Sequence, residues 1–272
     1  MKKPLLWVVS FAVTLGFALF QRMTGPTYPV RSSGVEVPGA AAVSYRFPRS
    51  CTTGGDDCVP RVNSAAPAEG YLLWKRYRTG DEPQVLPMAY EAGRLTARLP
   101  DQPPAGKLEY RVFLRTAAGE TELSKAPVVT RFKGAVPHFI LIPHILMMFL
   151  FMLFSVRIFV SAAWNLPQPR FAVPLNVAFL ALGGFLFGPL TQKYAFGQLW
   201  TGFPFGYDLT DNKTLVMMIF WLAGLAAFLK EKKPRFWLIT AFIVTAAIYL
   251  VPHSMFGSEL DYGKGEVVTG RK

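Results

Sequence analysis

Two cysteines and three histidines are all that this 272-residue sequence holds of its two most reactive side chains, and none of its long apolar runs contains an acidic residue. Each scarcity closes off some chemistry. No CxxC or HExxH motif, no Ser/His/Asp order and no glycine-rich phosphate loop after a strand is present, so no catalytic motif can be assigned. Without acids in the apolar runs, a proton or ion relay through them has nothing to run on. Acidic residues are scarce overall: 17 Asp and Glu face 29 Lys and Arg, a formal charge of +12. These basic residues are spread along the polar half or cluster beside apolar runs, with no aromatic-interleaved basic motif, which excludes a nucleic-acid partner. Such charge fixes topology and touches anionic lipid instead.

What is abundant is hydrophobic side chain, 51% of residues with mean hydropathy +0.28, and the excess is localised. The stretch from Pro137 to Ala163 is the joint of the chain. A membrane-crossing helix needs roughly 20 apolar residues, and from Pro143 to Ala163 the only full charge is Arg157, near the far end where a long side chain can snorkel. The helix starts at Pro143, or starts near Pro137 and kinks. Residues 1–21 carry Lys2 and Lys3 ahead of an apolar core, the pattern of a secretory signal; with no small-x-small site after it, we read an uncleaved anchor. Further spans are expected at 138–163, 172–190, 214–229 and 236–252, a four-helix domain over 137–272 with an outward C-terminal tail. Five crossings from a cytoplasmic N-terminus put Arg170 and the basic cluster Lys230–Arg235 inside, as the positive-inside rule demands. The expected location is the inner membrane of a bacterium, with residues 22–136 and the C-terminus on the periplasmic side.

Residues 22–136 change character. Glycine and proline punctuate short runs of strand composition: 41–47, 70–78, 84–90, 94–99, 107–115 and 126–132. Leu108, Tyr110, Val112 and Leu114 alternate with Glu109, Arg111, Phe113 and Arg115, where Phe113 breaks the rule. About seven such strands predict an antiparallel β-sandwich. The passage LPDQPPAGKLEYRVFL resembles the E–F corner and F strand of a fibronectin type III or immunoglobulin-like module, over about residues 29–132. In that resemblance Leu99 closes one strand, Tyr110 is the corner tyrosine and Trp74 the early-strand tryptophan. It implies a binding or spacing module rather than an enzyme domain. The fold class is therefore mixed: an anchor helix, an exported β-sandwich, then a helical transmembrane bundle.

Cys51 and Cys58 bracket TTGGDD, and in an exported chain two such cysteines pair, here stapling a hairpin tip. The alternative sets both thiolates with Asp56 or Asp57 on a metal. Gly184 and Gly188 form a GxxxG pair that admits a close helix, within the bundle or from a separate subunit. In the segment 191–213, Tyr194, Phe196, Trp200, Phe203, Phe205 and Tyr207 interleave with glycine and proline as an interfacial belt. Asp208, Thr210, Asp211 and Asn212 are placed to cap the next helix. The same groups offer an alternative ligand or cation site, and Asp208, Asp211, Glu259 and Asp261 together offer oxygen ligands to a divalent cation.

His138, His144 and His253 are expected near outward helix ends, as interfacial anchors. His144 with His253 is the pair that would ligate a haem b, or copper, across the bundle. His138 and His144 lie about 120° apart around one helix and roughly 9 Å along it, too far for a close pair. The leading expectation is a non-catalytic accessory or partner-binding subunit of a membrane complex, with no cofactor, in contact with lipid and with other membrane or periplasmic subunits. A haem b redox subunit is the second reading, and a small transporter or channel component the third.

Overall fold

A computed structural model of the protein describes residues 3–253, 255 and 257–269. It divides into two compact units, Thr27–Ala135 with Ser258–Val268, and the remainder.

The first unit is built of strands. Among the described residues a five-stranded sheet has the order β1 (Val30–Val35), β2 (Val43–Phe47), β4 (Arg61–Asn63), β8 (Arg94–Thr96), β7 (Ala89–Glu91). A second sheet runs β3 (Ser50–Thr52), β11 (Val128–Lys133), β9 (Lys107–Thr116), β5 (Glu69–Arg76), β6 (Gln84–Pro87), with β10 (Gly119–Glu122) also on β9. Pairings are antiparallel except for β3 beside β11. The alternation of β9 places Leu108, Tyr110, Val112 and Leu114 inward, where they share one core with Val43, Phe47, Val62 and Leu95 of the other sheet. Phe113 breaks the alternation because it has an outer-face partner, stacking on Tyr71 with ring centroids 5.1 Å apart.

The sequence expectations need four corrections in this unit. The run at 84–90 is two strands, not one: buried Met88, whose N–H donates to the Gly70 carbonyl at 2.9 Å, is the point where the chain passes from β6 in one sheet to β7 in the other. Tyr110 does not form a corner bond within its own connection. Its hydroxyl donates to the Pro48 carbonyl at 2.8 Å, between β2 and β3, because an inward-pointing phenol needs an acceptor inside the fold. The cysteine loop is not a hairpin tip either, since β3 and β4 belong to different sheets.

The fourth correction concerns the expected C-terminal tail, of which Ser258–Val268 is part of the β unit. Its hairpin, β12 (Glu259–Asp261) and β13 (Glu266–Val268), is held by a Leu260 N–H bond to the Ala105 carbonyl (2.9 Å) and a Lys107–Glu259 ion pair (2.6 Å). The Tyr262 hydroxyl sits 3.0 Å from both Gln102 Oε1 and the Lys107 carbonyl, with Arg76 over its ring. Burial pushes the Tyr262 phenol up to about 12, and the Lys107 ammonium down against the pull of Glu259. The signs oppose. Docked Lys107 binds fewer protons than free Lys107, so raising the pH towards 10.4 favours docking; docked Tyr262 keeps a proton that the free phenol loses above 10, so docking weakens from about pH 10 to 12. A spin label at position 264 is expected to gain mobility across that upper window, and Tyr262→Phe to flatten the response there.

In the second unit, four helices among the described residues are long and apolar enough to cross a membrane: Pro4–Thr24 within α1 (Lys3–Thr24), α2 (His138–Ala163), the composite helix Ala172–Phe196, and α5 (Leu209–Leu229). α6 (Pro234–Leu250) is apolar but shorter, at 17 residues. α2 starts at His138, which leaves Pro143 in its second turn. The composite helix runs past the expected end at 190, as α3 (Ala172–Leu180), a π-helical segment Ala181–Phe187, and α4 (Gly188–Phe196). Buried Trp221 of α5 packs edge-on to Phe151 of α2 and donates Nε1–H to Thr245 Oγ1 of α6 at 2.9 Å. Ser155 of α2 and Asn176 of α3 bond each other, at 3.1 Å from the amide nitrogen. Polar groups at this depth must find such partners within the bundle.

Candidate functional site

The best-formed polar site of the helical unit surrounds the π-helical segment and the loop that follows α4. A π turn leaves backbone carbonyls with unusual partners. Gly183 O accepts from the Gly188 N–H five residues on and from the His144 imidazole of α2, with Nδ1 at 2.9 Å. A carbonyl only accepts, so Nδ1 carries the hydrogen and Nε2 is left bare. Gly183 and Gly184 are both buried. A Cβ at Gly183 would lie 2.9 Å from Met148 Sδ of α2, and one at Gly184 would lie 2.5 Å from Thr214 Cγ2 of α5. Gly188 is less crowded, with the Gly183 carbonyl 3.2 Å and His144 Cε1 3.7 Å from where its Cβ would be. Thus Gly184 and Gly188 meet two different helices of the same bundle.

The segment expected as one loop over 191–213 is helical up to Phe196, so Tyr194 and Phe196 ride on the last turn of α4. α4 ends at Gly197 with φ 84°, a left-handed cap that glycine adopts without penalty. α5 begins five residues before the apolar run, at Leu209, capped by the buried Asp208, which accepts from the Thr210 N–H (2.7 Å) and the Asp211 N–H (3.3 Å). The spacing Asp208-x-x-Asp211 suggests a capping box, but the Asp208 N–H already donates to the Thr201 carbonyl. Asp211 turns instead to the loop, accepting from the Thr201 N–H at 2.7 Å and lying 3.2 Å from its hydroxyl. Gln192 orients its amide nitrogen 3.1 Å from the same carboxylate. Asn212 accepts from the Phe203 N–H at 2.7 Å.

The Asp211 and Asn212 side chains, with the backbone N–H of the cap residue Asp208, therefore fix the loop backbone. Glycine is required where the loop passes closest: a Cβ at Gly202 would lie 2.7 Å from Asp211 Cβ, and one at Gly206 would overlap the Thr201 carbonyl. On this clasped loop Phe203, Phe205 and Tyr207 are 67%, 83% and 81% exposed. Trp200 folds back onto Phe185, with ring centroids 5.4 Å apart.

The other expected site residues belong to other elements. His138 is exposed in the first turn of α2, and His253 follows α6 in an exposed turn. Glu259 and Asp261 belong to the β unit, Glu259 paired with Lys107 and Asp261 accepting from the Gly263 and Lys264 N–H groups of its own turn. Among the described residues no group of three or more His, Cys, Asp or Glu is placed to hold a metal ion. Cys51 and Cys58 are joined in a disulfide, so neither thiolate is open to a metal. Asp57 instead accepts from the Thr52 N–H and hydroxyl, and Asp56 pairs with Arg98. The chain matches no protein-family model and no curated protein.

Proposed function

We propose that the protein is a non-catalytic accessory subunit of a membrane complex, carrying a β-sandwich of fibronectin type III or immunoglobulin-like kind on the periplasmic side of a bacterial inner membrane. Two sheets sharing one core support the sandwich. Chain connectivity supports the orientation: α1 leads into the β unit, and the helices from α2 to α6 leave it and return to it. An even number of crossings must lie between, which α2, the composite helix, α5 and α6 supply. An N-terminus and a Lys230–Arg235 turn on the cytoplasmic side then obey the positive-inside rule.

The observation that carries the accessory role is the loop after α4, which holds its backbone by the polar clasp of Asp208, Asp211 and Asn212 while turning Phe203, Phe205 and Tyr207 outward. Fixed aromatic display lowers the ordering cost of docking, and aromatic anchors dominate interfaces. Extraction of the native membrane in mild detergent is expected to yield the protein with at least one stoichiometric partner. Phe205→Ala with Tyr207→Ala is expected to weaken that association about tenfold or more without moving the melting temperature. Isolation as a lone monomer from native membrane would remove the proposal.

A haem b subunit is the second reading, favoured by one detail: ligating histidines characteristically donate Nδ1–H to a carbonyl and offer Nε2, as His144 does. A purified protein without a Soret band would dismiss it.

A further inference from the structure

Among the described residues, Arg157 is the one basic residue enclosed in a span that carries no acid. It sits in α2, six residues before its end, and is only 8% exposed. Nη1 donates to the hydroxyl of Ser161, one turn further towards that end, and Nε has no hydrogen-bond partner among the described residues. The guanidinium lies 5.6 Å from the Trp7 ring centroid. A hydroxyl and a ring face do not neutralise a buried guanidinium, whose desolvation calls for an anion. The helices that pack most closely on α2 offer none: α1, α3, the π-helical segment, α4 and α6, like α2 itself, contain no aspartate or glutamate.

We infer that the missing counter-ion is the phosphate of an anionic phospholipid, seated in the seam between α1 and α2 and held by Arg157. Depth supports this. The side chain bends towards the end of its helix, against the usual backward lean of helical side chains, which aims the guanidinium at headgroup level. Access supports it too, since the Trp7 ring beside the guanidinium is itself 39% exposed. Charge is complementary at the same end of α2, where Arg235 donates to the Ala163 carbonyl and Lys230, Lys232 and Lys233 precede α6 against a single Glu231. Planar, bidentate recognition of phosphate is what a guanidinium does best, and basic groups between spans select anionic headgroups.

The test measures lipid retained by the purified full-length protein, by native mass spectrometry, after exchange through nanodiscs of phosphatidylglycerol or of phosphatidylcholine. The wild type is expected to keep one phosphatidylglycerol with about tenfold preference over phosphatidylcholine. Arg157→Met should lose that preference, Arg157→Lys should keep part of it, and Arg170→Gln should leave it unchanged. Melting temperature and an intact disulfide report folding of each variant. Equal retention of both lipids by the wild type overturns the inference whatever the variants do. So does full retention by Arg157→Met, or displacement of the lipid by millimolar inorganic phosphate, which would mark a free-anion site instead.

Discussion

Replacing Cys51 and Cys58 together by alanine is expected to lower the stability of the β unit by about 2.5 kcal/mol, in the usual range for a natural disulfide. For a unit of this size that corresponds to a fall in melting temperature of about 10 °C. The bond closes a short loop, with a sequence separation of 7 and Cα atoms 5.1 Å apart, so loop-closure entropy alone puts it at the modest end. Its position adds to this. Cys51 lies within β3, a strand of three residues at the edge of its sheet, in register with Phe132 of β11, and so short a strand has little pairing of its own. Cys58 accepts the Leu99 N–H at 3.1 Å, which anchors the chain after β8. Both cysteines are essentially buried, Cys51 with its sulfur 3.2 Å from Thr130 Oγ1. Calorimetry of the double variant checks the figure, and a shift below about 2 °C would show that β3 is held by the core alone.

Gly184→Ala is expected to destabilise the helical unit by about 1–3 kcal/mol, the range for overfilling a packed contact, while Gly188→Ala is expected to cost less. The difference rests on what each new methyl meets. At Gly184 it lands 2.5 Å from Thr214 Cγ2 on a neighbouring helix, whereas at Gly188 it meets the Gly183 carbonyl at 3.2 Å and His144 Cε1 at 3.7 Å. Association in lipid relies on close packing rather than on hydrophobic burial, so moving α5 away forfeits contacts that nothing replaces. Thr214→Ser removes Cγ2 and keeps the hydroxyl that bonds the Thr210 carbonyl. Combined with Gly184→Ala it should restore most of the loss, measured as thermal unfolding in detergent. Absence of rescue would place the strain elsewhere.

Length and hydropathy made the first four spans legible, and period-two alternation made β9 legible down to its exception at Phe113. The rest depended on partners far away in sequence. Nothing local marks Met88 as a crossing between sheets, because both halves of 84–90 have the same strand composition. The apolar run beginning at Thr214 hid the true start of α5, since Leu209 to Lys213 are helical through the Asp208 cap and loop contacts rather than through hydropathy. The His144 contact needed the π-helical segment, whose residues read as ordinary span. The hairpin at 259–268 consists of two three-residue strands, too short to register, and its ion pair joins residues 152 positions apart.

That last separation sets an order of events during synthesis. Residues 107 and 259 lie on opposite sides of four apolar helices in the chain, so the ribosome has made all of those helices before the β unit receives its final two strands. Until then Lys107 has no carboxylate and Ala105 no amide to meet. Docking of this hairpin therefore reports that α6 has been made, and synthesis halted before residue 259 would leave the Lys107 and Ala105 edge of the β unit uncovered.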